Sequence, residues 1–250
     1  MRFEELESVF VETKRGMLHF LKNKSGPKDI SLVLLHGLGA NARSWKKLVP
    51  FIPEYMGIII VDLLGHGSSD APKIDYTPGL EAECVAELVG SLKLKDFVLV
   101  GNSYGGWVAA YGCANNIFQK GLKALVLEDS AGLKKEIDAI LGKMTYDEFY
   151  NMELTGALRL NNNKDYVIRS IISNANEVYL LRDEDLKNIK AKTLIVWGKD
   201  DGVISSRYAE VFSNCIKDSK IELINNAGHI PHFSKPEEFA KLLVDFIRQC

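Results

Sequence analysis

The chain has 250 residues, 46% of them hydrophobic, and a formal net charge of −2 at pH 7. A charge this close to zero excludes a broad basic field for nucleic acid or an anionic membrane, and the longest apolar runs are far shorter than the ~20 residues of a membrane-spanning helix. One domain with its own hydrophobic core, with or without a small insertion, fits this length.

The N-terminal segment and the cysteines indicate the cellular compartment. The first ten residues, MRFEELESVF, are acidic and contain no apolar signal-peptide core. The four cysteines are scattered, with no C-x-x-C pair and no histidine at ligand spacing, which argues against a zinc site or a redox dithiol. We therefore expect a cytoplasmic protein with free thiols. The cysteines are Cys84, Cys113, Cys215 and Cys250.

A β-hairpin is predicted first, followed by six buried strands. The segments SVFVETK and MLHFLKN flank Arg15 and Gly16, a two-residue turn signal. After them, short apolar runs recur without polar alternation, as expected for strands buried on both faces of a parallel sheet. These runs are SLVLL (31–35), GIIIV (57–61), FVLV (97–100), KALVLE (123–128), TLIVW (193–197) and IELI (221–224).

Helical patterns separate these strands. PGLEAECVAELVGSL begins after Thr77 with Pro78 in its first turn, and PEEFAKLLVDFIRQ opens with Pro236 and two glutamates. Between them lies SYGGWVAAYGCANN, a small-residue helix suited to close packing under a sheet. The repetition of strand and helix predicts an α/β fold with a mostly parallel β-sheet flanked by helices.

One long stretch interrupts the alternation. From Gly132 to Lys190 the sequence contains no convincing buried strand and instead shows several amphipathic helical patterns. Such a length is unusual for a connection between strands. We predict a helical insertion at residues 132–190, within a core formed by residues 1–131 and 191–250.

The segment GNSYGG places a serine between glycines where a predicted strand meets a predicted helix. G-x-S-x-G is a weak signal alone, but this setting is the one that a nucleophile elbow requires. The glycines permit a sharp turn and close packing of strand against helix. We predict that Ser103 projects above the C-terminal edge of the sheet as a nucleophile. The amide of Tyr104, at the helix N-terminus, is then able to donate to an oxyanion.

A serine hydroxyl needs a general base and a group that orients the base. The base should come from a loop at the sheet edge that carries Ser103. Of the five histidines, His229 follows the last predicted strand in NNAGHIPHF, and His232, three residues later, is the alternative.

The orienting acid should also follow a strand. Asp200 and Asp201 come directly after TLIVW, and Asp129 ends the strand that contains KALVLE. A solvated turn is an equally good explanation for the first two, because aspartate and glycine are common in turns. The order Ser103, Asp201, His229 is the one expected for the nucleophile-elbow class.

These motifs resemble the α/β-hydrolase family over residues 30–247. LLHGLG (34–39) is similar to the family's oxyanion segment, and VDLLGHGSSD (61–70) is similar to its D-x-x-G-x-G-x-S segment. GNSYGG matches the nucleophile elbow. The helical stretch at 132–190 corresponds to the lid that many members carry.

The resemblance also selects among the candidate residues. VWGKDD matches W-G-x-x-D, which selects Asp201 over Asp200, and AGHIPHFSKPEEF matches A-G-H-x-P-H-x-x-x-P-E-x-F, which selects His229 over His232. The resemblance thus implies a Ser103–Asp201–His229 catalytic triad.

Two amides are implied as the oxyanion hole. The residue after the HG of the oxyanion segment is Leu38, and the residue after the nucleophile is Tyr104. Ser103 stands where epoxide hydrolases and haloalkane dehalogenases of this fold carry aspartate, which argues against both activities. H-G-L-G rather than H-G-G-P-G argues against a prolyl aminopeptidase, and Ser234 replaces a glutamate that is common in relatives but lies outside the triad.

The resemblance implies a carboxylesterase-like enzyme. Its substrates would be small-molecule carboxylic esters of small to medium apolar character, cleaved through an acyl-enzyme with no metal or organic cofactor. Two alternatives stay open: a hydrolase that cleaves carbon–carbon bonds of ring-fission diketones, because GNSYGG resembles their elbow, and a small-molecule receptor with a retained triad. Both a monomer and a homodimer are compatible with the sequence.

Overall fold

A single β-sheet organises the protein. The structure, a computed structural model, describes residues 1–24, 28–118, 120–161, 163–175 and 178–250. The other positions belong to the predicted core (25–27 and 119) or to the predicted insertion (162, 176 and 177), and they lie outside the described residues. The strands are β1 Glu7–Thr13, β2 Gly16–Lys22, β3 Ser31–Leu35, β4 Gly57–Val61, β5 Phe97–Asn102, β6 Leu122–Glu128, β7 Lys192–Gly198 and β8 Ser219–Ile224.

The sheet is mostly parallel, as predicted. Its strand order is β1-β2-β4-β3-β5-β6-β7-β8. The β1/β2 and β2/β4 pairs are antiparallel, and all other neighbouring strands run parallel. The chain moves outward from β3 to β4 and then returns to the other side of β3 to form β5. The loops after β3 and β5 therefore leave the sheet in opposite directions, which is the point where ligands commonly bind in open α/β sheets.

The central strands are buried on both faces. In β3, Val33 and Leu35 belong to one apolar cluster, and Leu32 and Leu34 belong to the other. Helices α1 and α2 cover the first face, and α9 covers the second. Burial on both faces explains why the central strands are unbroken apolar runs in the sequence.

Helices connect the strands. Thr77 caps the first of them, because its hydroxyl accepts a hydrogen bond from the Leu80 amide. The α-helices are α1 Pro78–Ser91, α2 Tyr104–Ala114, α3 Lys134–Leu141, α4 Tyr146–Leu158, α5 Asp165–Ser173, α6 Asp183–Leu186, α7 Tyr208–Cys215, α8 Pro231–Ser234 and α9 Pro236–Ile247, and the 3-10 helices are Phe3–Glu5, Ala42–Lys47 and Val49–Phe51. Among the described residues, none of these helices combines the length and apolar character needed to cross a membrane.

Residues 132–190 contain α3 to α6, between β6 and β7. The two ends of this segment meet at a single β-bridge between Leu133 and Leu181, where the Leu181 amide donates to Gly132 at 2.8 Å. The indole of Trp107, on α2, donates to the carbonyl of Tyr179 at 3.0 Å. The helical content agrees with the sequence, and the division of the chain into core and lid stays a prediction.

The predicted hairpin turn was wrong by one residue. Thr13 pairs with Gly16, so the two-residue loop consists of Lys14 and Arg15. Gly16 belongs to β2 and has φ of +143°, a conformation that side chains disfavour. Its carbonyl also accepts a hydrogen bond from the Thr13 hydroxyl at 2.7 Å. The glycine therefore marks the start of the second strand and not the tip of the turn.

The last strand also differs from the prediction. IELI was expected to be buried on both faces, but β8 lies at the edge of the sheet. Most of its residues are partly or fully exposed, including Leu223 at 45%. A strand with one neighbour needs no complete apolar run, which explains Glu222 within it.

Candidate active site

Ser103 occupies a strained turn between β5 and α2. Its φ of +53° and ψ of −115° lie outside the usual regions for a residue with a side chain. A backbone of this kind typically costs ~1–3 kcal/mol. Three backbone hydrogen bonds hold it: the Ser103 amide donates to Glu128, and the Ser103 carbonyl accepts from Trp107 and Ala131, at 3.0 to 3.1 Å.

The flanking glycines are required by close backbone contacts. A Cβ on Gly101 would lie 2.3 Å from the carbonyl oxygen of Gly105. A Cβ on Gly105 would lie 2.4 Å from the carbonyl oxygen of Leu35, at the end of β3. The G-x-S-x-G pattern thus reflects packing of the turn against itself and against the neighbouring strand.

Asp201 and His229 form a hydrogen-bonded pair. Asp201 follows β7, His229 follows β8, and Nδ1 of His229 lies 2.8 Å from Oδ2 of Asp201. The other Asp201 oxygen accepts from the amides of Val203 at 2.7 Å and Ile204 at 3.0 Å. The Asp201 side chain is fully buried, whereas that of His229 is 17% exposed. With Nδ1 donating to Asp201, the other nitrogen of a neutral ring, Nε2, is able to accept a proton.

The electrostatics of the pair favour an ionised Asp201. Burial alone would raise the pKa of its carboxyl group, but the hydrogen bond and charge of His229, together with the other hydrogen bonds to the carboxylate, outweigh burial and lower this pKa. An ionised carboxylate beside Nδ1 is the partner that stabilises an imidazolium.

A second hydrogen bond joins the serine turn to the histidine loop. Nδ2 of Asn102, the residue before Ser103, donates to the carbonyl oxygen of His229 at 3.1 Å. Asn102 is only 4% exposed. The structure therefore brings the predicted nucleophile, base and acid to one edge of the sheet, at the carboxyl ends of β5, β7 and β8.

The segment that contains Leu38, one of the two predicted oxyanion residues, lies beside Ser103, and Tyr104, the other, follows it directly. A Cβ on Gly37 would lie 3.3 Å from Cβ of Ser103, so the segment containing Leu38 runs past the serine. Within the described part of the chain, neither the Leu38 amide nor the Tyr104 amide donates a hydrogen bond to another protein atom. Both are available donors, and that of Tyr104 is at the N-terminus of α2.

The inserted segment contacts the oxyanion segment directly. The carbonyl oxygen of Gly39 accepts two side-chain hydrogen bonds from residues after α4, from Asn161 at 3.0 Å and from Asn163 at 2.8 Å. The Gly39 amide donates to Nε2 of His66 at 3.4 Å. These asparagines were not recognised in the sequence, because their partner is more than 120 residues away.

His232 and Asp200, the alternatives for the base and the acid, lie in other surroundings than His229 and Asp201. His232 is 1% exposed, its Nδ1 lies 2.6 Å from Oε2 of Glu128, and its ring stacks on Trp45 with centroids 3.8 Å apart. Asp200 is exposed, in contrast to the buried Asp201 carboxylate. The buried Glu128–His232 pair was not anticipated.

Asp129 lies beside the Asp201–His229 pair. It is fully buried, and its Oδ1 accepts from the Gly198 amide at 3.0 Å. One side-chain nitrogen or oxygen from each of Asp129, Asp201 and His229 lies within 4.8 Å of the other two. Because Nδ1 of His229 and Oδ2 of Asp201 already bond to each other, the arrangement is that of an acid–histidine pair rather than of a set of metal ligands.

Two further carboxyl groups reach this region from the inserted segment. Burial raises the pKa of Glu153, on α4, and the nearby charge of His229 opposes the shift. Burial also raises the pKa of Glu136, on α3, to about 8, and Glu153 and Asp201 contribute to this increase. The site is therefore rich in carboxyl groups.

A separate groove, lined by Tyr111 and Tyr179 among others, contains none of Ser103, Asp201 and His229.

Comparison with known proteins gives the family. A family model described as "Alpha/beta hydrolase family" matches residues 32–242. The chain belongs to the alpha/beta hydrolase family. It is 30% identical to monoacylglycerol lipase ABHD6 of Bos taurus, with 87% of this chain and 75% of that protein covered.

Other relatives differ in their chemistry. The chain is 27% identical to 2-hydroxy-6-oxo-6-(2'-aminophenyl)hexa-2,4-dienoic acid hydrolase of Metapseudomonas resinovorans, with 98% of this chain and 93% of that protein covered. A solved hydrolase from Pseudomonas aeruginosa PA01 has the same fold, with a TM-score of 0.79, 20% identity and coverage of 96% and 98%. These findings confirm the predicted fold and family, and they support an ester-hydrolysing enzyme.

Proposed function

We propose that this protein is a serine hydrolase that cleaves carboxylic esters of small to medium apolar substrates. Ser103 is the nucleophile, His229 the general base and Asp201 the acid that orients it. The observation that carries the proposal is the Asp201–His229 hydrogen bond, joined through Asn102 to the strained turn of Ser103. The similarity to monoacylglycerol lipases supports ester chemistry.

The mechanism follows from this arrangement. Oγ of Ser103 attacks the ester carbonyl carbon while Nε2 of His229 takes the hydroxyl proton. The tetrahedral intermediate collapses, the C–O bond breaks, and His229 returns the proton to the departing alkoxide, which leaves as an alcohol. Water then attacks the acyl-enzyme with His229 again as base, which releases the carboxylic acid and restores Ser103.

The amides of Leu38 and Tyr104 form the proposed oxyanion hole. Charge develops on the carbonyl oxygen only in the tetrahedral intermediate, so preformed donors stabilise the transition state more than the substrate. The loss of one such donor typically raises the barrier by ~2.7–4 kcal/mol. The Asn161 and Asn163 hydrogen bonds to Gly39 support this segment and favour a lid role for residues 132–190.

Hydrolysis of p-nitrophenyl esters, from acetate to palmitate, tests the proposal. We expect turnover with an optimum at short or medium acyl chains, and we expect Ser103→Ala to abolish it. Ser91→Ala, which removes a hydroxyl that donates to the Leu88 carbonyl at the end of α1, is the matched control. Covalent labelling of Ser103 by a fluorophosphonate, read by peptide mass, identifies the nucleophile independently of the substrate.

Cleavage of carbon–carbon bonds is the second candidate. The match to the dienoic acid hydrolase over nearly the full length of both chains favours it. That relative is named for an acid, whereas the site here carries Glu136 and Glu153 near Asp201 and His229. Neither carboxyl group offers a positive charge to an anionic substrate, and an ionised Glu153 would repel one, which is why we place neutral esters first.

Substrates of different charge distinguish ester hydrolysis from carbon–carbon cleavage. We expect a neutral p-nitrophenyl ester to be cleaved faster than its counterpart with a terminal carboxylate. We expect Glu153→Gln to reduce the ratio of these two rates. Asp147→Asn removes an exposed charge from the same helix and is the control. Turnover of a vinylogous diketone acid without turnover of any ester would establish carbon–carbon cleavage instead.

A receptor with a retained triad is the remaining alternative. Release of one equivalent of product per protein molecule, with no further turnover, would support a receptor. We also propose a cytoplasmic location, because all four cysteines are free, which is usual in reducing compartments.

A further inference from the structure

Asp129 is a buried carboxyl group that the proposed mechanism does not use. It follows β6 with φ of +44°, a left-handed conformation that aspartate adopts more readily than most residues. Its side chain is turned toward β7, where Oδ1 accepts the Gly198 amide at 3.0 Å. Its other oxygen, Oδ2, is buried and receives no hydrogen bond from any donor in the described chain.

Within the described chain, the side chains beside Asp129 leave its Oδ2 without a hydrogen bond. Asp201 and His229 each place a side-chain nitrogen or oxygen within 4.8 Å of an Asp129 oxygen. Nδ1 of His229 is already committed to Asp201. A buried ionised oxygen in such a place would lack a donor and face a second negative charge, which is strongly unfavourable. A protonated oxygen would itself be a donor.

Asp201 has room for one more donor. An ionised carboxylate offers about four lone-pair positions. Three are filled, by the amides of Val203 and Ile204 and by Nδ1 of His229. We propose that Asp129 is a positioning residue: a neutral carboxylic acid whose O–H donates the fourth hydrogen bond to the Asp201 carboxylate.

The titration behaviour agrees with this geometry. Burial, the charge of Glu128 and the contact with Asp201 raise the pKa of Asp129 to about 11, while the pKa of Asp201 is lowered. The other titratable groups that face the pair are Glu136 on α3 and Glu153 on α4. Two adjacent carboxyl groups with opposite shifts carry one proton between them.

The inference rests on the proposed roles of Asp201 and His229. A donor on Asp201 spreads its negative charge and weakens its attraction for an imidazolium. Without this donor, protonated His229 is held more tightly, so the acid limb of the kcat/KM profile moves to higher pH. When residue 129 still donates to Asp201, the acid limb stays at its wild-type pH.

Asp129→Asn is the decisive variant, because its amide oxygen accepts from Gly198 and its amide nitrogen donates to Asp201. We expect an unchanged acid limb and near-native kcat. Asp129→Ala should move the limb upward by about one pH unit, the size expected for a lost hydrogen bond to a charged group. A downward move in Asp129→Asn would mean that a negative charge had been removed, and it would overturn the proposal.

Two readouts do not depend on turnover. Infrared difference spectroscopy of wild type against Asp129→Asn at pH 7 should show the loss of a protonated carboxyl C=O band. The NMR titration midpoint of the His229 ring should follow the same pattern as the acid limb. If the enzyme hydrolyses no ester, the proposed function fails but these measurements still decide the state of Asp129. The absence of the protonated carboxyl band, or an unchanged His229 titration midpoint in Asp129→Ala, would contradict the proposal.

Discussion

Asn102 and His229 are joined by a 3.1 Å hydrogen bond between the side-chain amide of Asn102 and the backbone carbonyl of His229. This bond links the residue before Ser103 to a loop 127 positions away. It ties the base to the nucleophile, because Asn102 is the last residue of β5, a fully buried strand between β3 and β6.

Replacement of Asn102 by alanine should therefore impair catalysis more than folding. We expect kcat on a p-nitrophenyl ester to fall about tenfold, as for the loss of one hydrogen bond of ~1.4 kcal/mol. Asn115→Ala removes an asparagine side-chain hydrogen bond at the far end of α2 and should leave kcat unchanged. Equal rates in the two variants would show that the histidine loop is held by other contacts.

The carbonyl oxygen of Gly39 depends on the inserted segment for both of its side-chain donors. The double variant Asn161→Ala/Asn163→Ala removes these donors from the oxyanion segment. We expect kcat/KM to fall at least tenfold, with most of the loss in kcat, because the oxyanion amides become less well ordered.

Asn151→Ala is the control for this double variant, since Asn151 is exposed on α4. A rise in KM alone would assign the two asparagines to substrate binding and not to the oxyanion segment.

Much of the candidate site could be predicted because each of its residues follows a strand of the sheet. The apolar runs of β5, β7 and β8 located the carboxyl edge of the sheet, and the glycines around Ser103 marked the turn. The exact partners could not be predicted. The Asn102–His229 bond and the Glu128–His232 pair both cross more than 100 residues, and no local pattern encodes such contacts.

The errors in the fold have a similar origin. Whether IELI is a central or an edge strand depends on the order of strands, which a run of apolar residues does not contain. Which two residues form the hairpin loop depends on the pairing of Thr13 with Gly16, and a glycine suits either the loop or the strand that follows it.

Glu81 should make the stability of the fold depend on pH. It is fully buried on α1, accepts from the Leu64 amide at 3.1 Å, and has its pKa raised by burial from 4.5 to about 8. Between these two values the folded chain holds one proton more than the unfolded chain at this position. The free energy of unfolding therefore falls as the pH rises, by about 1.4 kcal/mol per pH unit at most.

Glu81→Gln removes this titration while keeping an acceptor for Leu64. In urea unfolding, we expect the variant to be more stable than wild type at pH 8 and the difference to shrink at pH 5. Glu83→Gln, an exposed change on the same helix, should show no such pH dependence. A constant difference between wild type and Glu81→Gln across this range would contradict the assignment.

The Glu128–His232 pair should contribute to both stability and catalysis. Glu128 accepts from the backbone amide and Nδ1 of His232 at 2.7 and 2.6 Å, and its own carbonyl accepts from the Ser103 amide. Removal of one partner of a buried hydrogen bond typically costs ~1–3 kcal/mol, because the other is left unpaired. We expect losses of this order for Glu128→Ala and for His232→Ala.

The double variant distinguishes a coupled pair from two independent residues. If the pair acts as a unit, Glu128→Ala/His232→Ala should lose clearly less stability than the sum of the single variants in urea unfolding. The exposed pair of Lys241 and Asp245, at 2.9 Å on α9, is the reference, and Lys241→Ala should cause little or no loss of stability. Additive losses at Glu128 and His232 would mean that each residue acts through its own packing. If the losses are coupled and each single variant also has a lower kcat, the pair supports both the serine turn and the histidine loop.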